Sequence, residues 1–129
     1  MPRRREPDPL AQAVGQRIRQ LRAEAGLTLE KLAFESELGS KGHLSSIERG
    51  LVRPTIHTLQ VLADRLGVLL LDLVTFPEDD ERQKLIDRTR LLPRGTLRKL
   101  VKELEAPASR ARLQEPKDRP GGRTGRRVK

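Results

Sequence analysis

Short runs of apolar residues at helical spacing, separated by glycines, constrain the fold of this chain more than any other feature. The first run occupies one helical face, with spacings of four, four and three residues, and consists of Leu10, Val14, Ile18 and Leu21. Similar runs follow, and the breaks that end them fall at Gly26, Gly39, Gly50 and Gly67. No stretch shows the polar–apolar alternation of a half-buried strand. The pattern predicts an all-α fold with five short helices between about residues 10 and 74.

Side chains that cap helices support these boundaries. Thr28 and Ser40 each stand directly before one of the runs, where a hydroxyl can accept a free backbone N–H, and Pro54 with Thr55 opens the fourth helix. After Phe76, an acidic cluster at 78–81 predicts the start of a sixth helix, because carboxylates favour the positive end of a helix dipole. Pro93 predicts the start of a seventh. We therefore expect two additional C-terminal helices within residues 76–105.

Both ends of the chain have the composition of disordered segments. Residues 106–129 contain eight basic and two acidic residues with only two sizeable apolar side chains, and residues 1–9 contain three Pro and three Arg. Such segments bury too little apolar surface to offset the entropy lost on ordering. We expect a disordered basic tail over 106–129 and a disordered basic arm over 1–9. The folded part should therefore comprise residues 10–75 and 76–105.

The residue inventory excludes several functional classes. The chain has no Cys and only His43 and His57, which gives no spacing for a metal site, and no nucleophile and base face each other. We therefore predict neither a cofactor nor an enzyme. The longest apolar run, at 68–71, is far too short to cross a bilayer, so a cytoplasmic protein without membrane contact is expected. The chain has 27 basic and 18 acidic residues, and this net charge of +9 favours a polyanionic partner.

Several motifs in a fixed order resemble one known family. They are RQLRAEAGLT at 19–28, EKLA at 30–33, HLSSIERG at 43–50 and PTI at 54–56, followed by 59–67. Over residues 11–74 the chain resembles lambda-repressor-like (Xre/Cro family) helix-turn-helix domains. The resemblance implies a five-helix domain at 10–75 whose third helix enters the major groove of double-stranded DNA. Two departures stand out: Leu29 replaces a common Gln, and the turn at 35–39 is one residue longer.

The polar residues of the predicted third helix are the candidate base contacts. Leu44 and Ile47 are expected to point inward, which leaves a polar outer face formed by Ser40, Lys41, Gly42, His43 and Ser46. The candidate phosphate contacts are Arg22, Thr28, Arg49, Arg53 and Thr55. The resemblance also implies that Arg22 and Glu48 form a partly buried ion pair between the first and third helices.

Apolar residues beyond those that the core needs predict a homodimer. This candidate interface consists of Leu69, Leu71, Leu97, Leu100, Val101 and Leu104. Alternatively, the sixth and seventh helices cover Leu69 and Leu71 within one chain. The preferred function is a sequence-specific transcriptional regulator that represses as a homodimer on a palindromic operator. The alternatives are an antitoxin-like module that binds a protein through its C-terminal helices, with DNA binding secondary, and an architectural binder that holds DNA non-specifically through its basic tail.

Overall fold

The computed structural model describes residues 6–36 and 38–108, and this part of the chain is entirely helical. Its seven helices are α1 (Pro9–Glu24), α2 (Leu29–Glu35), α3 (Lys41–Glu48), α4 (Ile56–Leu66), α5 (Leu70–Leu73), α6 (Glu81–Thr89) and α7 (Arg94–Glu105). The prediction of an all-α fold with five helices followed by two more is confirmed. Residues 1–5 and 109–129, which hold most of the predicted basic arm and tail, lie outside the described residues.

The helix ends follow from local cap chemistry. Thr28, Ser40 and Thr55 precede α2, α3 and α4, and each side-chain oxygen accepts the N–H of the residue three positions later, at 3.0, 3.1 and 3.0 Å. Gly67 ends α4 with a φ of +73°, a left-handed conformation that side chains with a Cβ rarely adopt. The predicted starts and stops of the central helices therefore rest on hydrogen bonds that the structure contains.

Two elements differ in length from their prediction. Helix α1 begins at Pro9, and Asp8 caps it by accepting the N–H of Ala11 at 3.0 Å, so both residues belong to the helix start and not to the arm. Proline suits this position because its fixed φ is helical and its missing N–H would have no partner there. The pattern also predicts that the fifth helix spans about 69–74, whereas α5 is shorter and spans Leu70–Leu73.

One apolar cluster holds the first five helices together. It contains Val14, Ile18, Leu21, Leu32, Ala33, Leu44, Ile47, Val52, Leu62, Ala63, Leu66 and Leu73. Helix α3 packs against both α1 and α2, while α5 packs against α1 and α4. Burial of one large aliphatic side chain contributes about 1.5–3 kcal/mol, so this cluster is the main source of stability in residues 6–76. It fixes α3 from two sides.

Helices α1 and α3 are in close contact at Gly15. A Cβ at this position would lie 2.4 Å from the carbonyl oxygen of Ile47 and 2.5 Å from that of Glu48. Real Cβ atoms essentially never come within 3.0 Å of such atoms. The backbone of α1 therefore lies directly on the backbone of α3 because residue 15 has no side chain.

A buried arginine links α1 to α5. Arg17 is only 3% exposed, and its Nε donates to the backbone carbonyl of Asp72 at 2.8 Å. The carboxylate of Asp72 in turn accepts the N–H of Leu69 at 2.9 Å. Arg17 thus satisfies a carbonyl in a helix of only four residues, and the sequence analysis assigned it no role.

The described residues form two compact units, one ending at Phe76 and the second beginning at Pro77. In the second unit, Asp80 caps α6 and its pKa is lowered, mainly because its carboxylate accepts the backbone N–H of Gln83. Asp87 is buried and binds the guanidinium groups of Arg88 and Arg90 at 2.8 and 2.9 Å. None of the helices in residues 6–36 and 38–108 is long and apolar enough to span a membrane.

Candidate nucleic-acid interface

Helices α2 and α3 with the turn between them form the frame of the site. Leu32 and Ala33 of α2 and Leu44 and Ile47 of α3 are all buried in the core. Helix α2 ends at Glu35 and α3 begins at Lys41, with Ser40 as its N-cap. The core therefore fixes the direction of α3, and the cap fixes the position of its first turn.

The first turn of α3 is the exposed part of this frame. Ser40, Lys41, Gly42 and His43 are all exposed, and they are consecutive, so the structure brings four of the five predicted base contacts together. Lys41 offers an ammonium donor, and the His43 ring offers a donor and an acceptor or two donors. Gly42 adds no side chain and allows close approach of the backbone to another surface. The turn can therefore donate hydrogen bonds to acceptor atoms such as guanine O6 and N7.

The prediction that Ser46 also faces outward is wrong. Its side chain is buried, with 2% of the residue exposed, although the flanking pattern placed it on the polar face. The physical reason is that α3 contacts α1 as well as α2, so a wider part of its circumference is buried than the two inward residues Leu44 and Ile47 imply. Ser46 is therefore not available for a base contact.

Arg22 and Glu48 form the ion pair that the resemblance implied. The Nε and Nη2 atoms of Arg22 donate to Oε2 and Oε1 of Glu48 at 2.7 and 3.0 Å, and Nη1 donates to the carbonyl of Leu27 at 3.0 Å. The hydrogen bond to Glu48 raises the pKa of Arg22 above its usual value, against a smaller opposing effect of burial. All three guanidinium nitrogens thus donate within the protein, which places Arg22 in a structural role and does not support its predicted phosphate contact.

Two of the other predicted phosphate contacts are arginines near the end of α3. Arg49 and Arg53 are both exposed. Nε of Arg49 donates to the carbonyl of Ser45 at 3.4 Å, and Nη2 of Arg53 lies 3.2 Å from Oδ1 of Asp8. Arg53 therefore already has an anionic partner at the start of α1, which is a contact that the sequence analysis did not predict.

The remaining two are threonines whose hydroxyls act as caps. Thr55 accepts the N–H of Thr58 and donates its own proton to Oγ1 of Thr58, both at 3.0 Å, so its hydroxyl proton is already used. Thr28 accepts the N–H of Lys31, which leaves its hydroxyl proton available as a donor. At Thr55, a phosphate would have to bind the backbone amides of the helix start.

The structure also gathers polar residues that the sequence analysis missed. A shallow groove is lined by three residues of α1 and by the residue that follows α3, namely Gln12, Gln16, Arg19 and Arg49. The spacing of four and three residues places the three residues of α1 on its polar face, and this spacing was the available signal. A second groove contains Phe34, which is 84% exposed, beside Ser40 and Lys41. The spacing of apolar residues gave no indication that this large aromatic ring would be exposed next to the first turn of α3.

The candidate dimer residues are mostly exposed. Leu69 and Leu71 of the α5 region are 67% and 49% exposed, and three of the four predicted residues on α7 are exposed as well. Leu97 is half-buried. Among the described residues, no group of three or more His, Cys, Asp or Glu side chains is arranged to hold a metal ion.

Comparison with known proteins gives a consistent result. A sequence model of the helix-turn-helix family matches residues 18–73. An uncharacterized HTH-type transcriptional regulator, y4dJ, of Sinorhizobium fredii is 46% identical over 67 residues, which cover 52% of this chain and 84% of that protein. The HTH-type transcriptional regulator PuuR of Escherichia coli is 33% identical over 121 residues, or 91% of this chain and 64% of that one. The immunity repressor protein of Bacillus phage phi105 is 42% identical over 55 residues, or 43% and 38%.

Two solved structures share the arrangement of helices. A chain of the SinR protein/SinI protein complex matches with a TM-score of 0.53 and 27% identity, over 79% of this chain and 99% of that one. The clp gene regulator ClgR from Corynebacterium glutamicum matches with a TM-score of 0.50 and 28% identity, over 77% and 95%.

Proposed function

This chain belongs to the helix-turn-helix family of DNA-binding transcriptional regulators, and on that premise we propose that it is a cytoplasmic repressor that binds a palindromic operator as a homodimer. The observation that carries the proposal is the exposed first turn of α3. Ser40, Lys41, Gly42 and His43 form a continuous polar surface at the end of a helix that is otherwise held in the core. A helix of this kind reads bases in the major groove with its N-terminal residues.

Within this surface, Lys41 is the principal base contact. Its ammonium group is exposed, and an amine donor at this position suits the O6 and N7 acceptors of guanine. His43 lies two positions later and contacts a neighbouring base or phosphate. Arg49 and Arg53 bind phosphates and set the position of α3 on the duplex, because backbone contacts orient a protein without reading sequence. Binding then blocks the promoter by occupancy, and the repressing role is supported by the name of the phage immunity repressor to which this chain is similar.

A homodimer is part of the proposal because one copy of α3 exposes few side chains to bases. A two-fold axis would place two copies of α3 about one turn of DNA apart, roughly 34–36 Å, on half-sites of inverted sequence. The exposed apolar residues near α5 and on α7 supply surface for such an association.

Selection of bound sequences from a random duplex library tests the proposal directly. We expect the purified full chain to enrich an inverted repeat. With that operator, Lys41→Ala should reduce the ratio of operator to random-DNA affinity by about 10- to 100-fold, since one good base contact contributes about 1–3 kcal/mol of discrimination. Arg65→Ala is the matched control, because it also removes one exposed positive charge. Arg65 lies in the last turn of α4, whereas Thr55 caps the first.

Three outcomes would refute the proposal or part of it. Failure to bind duplex DNA of any sequence at low salt would exclude the regulator function for this chain. An unchanged operator preference in Lys41→Ala, with binding otherwise intact, would show that the first turn of α3 does not read bases. A selected site without inverted symmetry would remove the homodimer from the proposal.

A further inference from the structure

Helix α7 carries an apolar stripe that is largely exposed. The stripe consists of Leu97, Leu100, Val101 and Leu104, at spacings of three, one and three, and no residue of the helix is buried. Val101 and Leu104 are 52% and 55% exposed. A helix with one apolar face is stable in water mainly when that face packs against another surface. The stripe therefore needs an occupant.

The charges of α7 are divided between its two halves. The N-terminal half carries Arg94, Arg98 and Lys99, and the C-terminal half carries Lys102, Glu103 and Glu105, so the net charge is +3 in the first half and −1 in the second. Arg94, Arg98 and Glu105 are four and seven residues apart, so they line one edge of the apolar stripe. A surface that is positive at one end and carries a net negative charge at the other complements a copy of itself turned end to end.

We propose that α7 pairs in antiparallel orientation with α7 of a second copy of this chain, about a two-fold axis between Leu100 and Val101. This inference rests on the homodimer proposed above and specifies its contact. In this register, Leu97 faces Leu104 of the partner subunit and Leu100 faces Val101 of the partner subunit. Arg98 lies beside Glu105 of the partner subunit, because equivalent edges of two antiparallel helices meet.

The opposite orientation is disfavoured by electrostatics. A parallel pair would place the cationic half of α7 beside the same half of its copy, and it would also align the two helix dipoles. In the antiparallel pair, the halves of α7 with opposite net charge face each other and the two helix dipoles are antiparallel, so both interactions become attractive. Its contact is small, since a helix of 12 residues is about 18 Å long, and we therefore expect a dimer with a dissociation constant in the micromolar range.

Charge reversal tests both the contact and its orientation. The full chain and three variants, Arg98→Glu, Glu105→Arg and the combination of both, are compared by sedimentation equilibrium over the micromolar range. Each single reversal should raise the dissociation constant about tenfold, because the pair occurs twice and attraction becomes repulsion. The combined variant should recover to within about threefold of the unmodified chain, since the reversed charges again attract across the axis.

Matched controls separate pairing from general charge or folding effects. Lys99→Glu changes the net charge as Arg98→Glu does but lies away from the stripe, so it should leave the dissociation constant unchanged. Val101→Asp should weaken the dimer about 100-fold or more, and circular dichroism should show unchanged helix content because the residue is exposed.

The results distinguish this inference from the function on which it rests. Failure of the combined variant to recover, or an equal effect of Lys99→Glu, would overturn the antiparallel contact. If all variants stay dimeric and select the same inverted repeat, the dimer forms elsewhere and the repressor proposal survives. A chain that is monomeric at every concentration and selects a single half-site would refute both.

Discussion

Substitution of Gly15 by Ala tests how closely α1 and α3 are packed. In a helix interior this change by itself stabilises the helix by about 1 kcal/mol, because glycine loses more backbone freedom on folding. Here the added Cβ would lie 2.4, 2.5 and 2.7 Å from three backbone atoms of Ile47 and Glu48. Backbone atoms of a helix cannot rotate away as a side chain can, so overpacking should cost about 3 kcal/mol, the upper part of its usual range.

The net expectation is a loss of about 2 kcal/mol in the free energy of unfolding, or a decrease of about 10 °C in Tm. Thermal and urea denaturation, monitored by far-ultraviolet circular dichroism, measure this loss. Gly42→Ala is the matched control in the same unit, because its nearest neighbouring atom, Oγ of Ser40, would lie 3.9 Å away. Gly15→Ala that is as stable as Gly42→Ala would refute the reasoning from close backbone contact.

Three further predictions follow from contacts described above. Glu48→Ala should lower the free energy of unfolding by about 3 kcal/mol, because it leaves the mostly buried Arg22 guanidinium without its carboxylate. Adding Arg22→Ala to this variant should cost much less than the first substitution did. Additive losses in denaturation experiments would contradict this expectation. Because folding lowers the pKa of Asp80, its carboxylate stabilises α6 above the ordinary pKa of 3.8, and this stabilisation is lost as the pH falls below that value. Asp80→Asn still caps the helix but cannot titrate, so it should abolish this acid dependence of helix content. Gly42→Ala should bind operator DNA less tightly while it unfolds at a higher temperature, and a gain in both binding and Tm would argue against close approach of this turn to DNA.

Local chemistry explains why the helix boundaries could be predicted. An N-cap requires only one side chain and the next few backbone amides, so Thr28, Ser40 and Thr55 are recognisable without knowledge of the fold. The same holds for Gly67, whose left-handed conformation ends α4. These interactions span three or four residues, and periodicity identifies the face that each helix turns to the core.

Contacts between distant residues explain what was missed. Ser46 is buried because α1 covers a second side of α3, and periodicity within α3 contains no information about that neighbour. Arg17 is buried because a carbonyl 55 residues later accepts its Nε hydrogen, whereas an arginine in isolation is expected at the surface. The ion pair between Asp8 and Arg53 joins residues that are 45 positions apart. Sequence reasoning therefore located the exposed turn of the candidate site but not the residues that support it.

The burial of Ser46 has a consequence for how much of a genome this protein can distinguish. Besides Ser40, whose hydroxyl caps α3, only Lys41 and His43 extend exposed side chains from the first turn of α3, so under the proposed function one copy would identify a very short stretch of bases by direct contact. A stretch that short recurs by chance at countless places in any chromosome, and each recurrence competes for the protein. To bind one operator selectively, the proposed repressor would therefore have to combine two such sets of base contacts at a fixed distance with the bendability of the bases between them, which a protein senses without touching those bases.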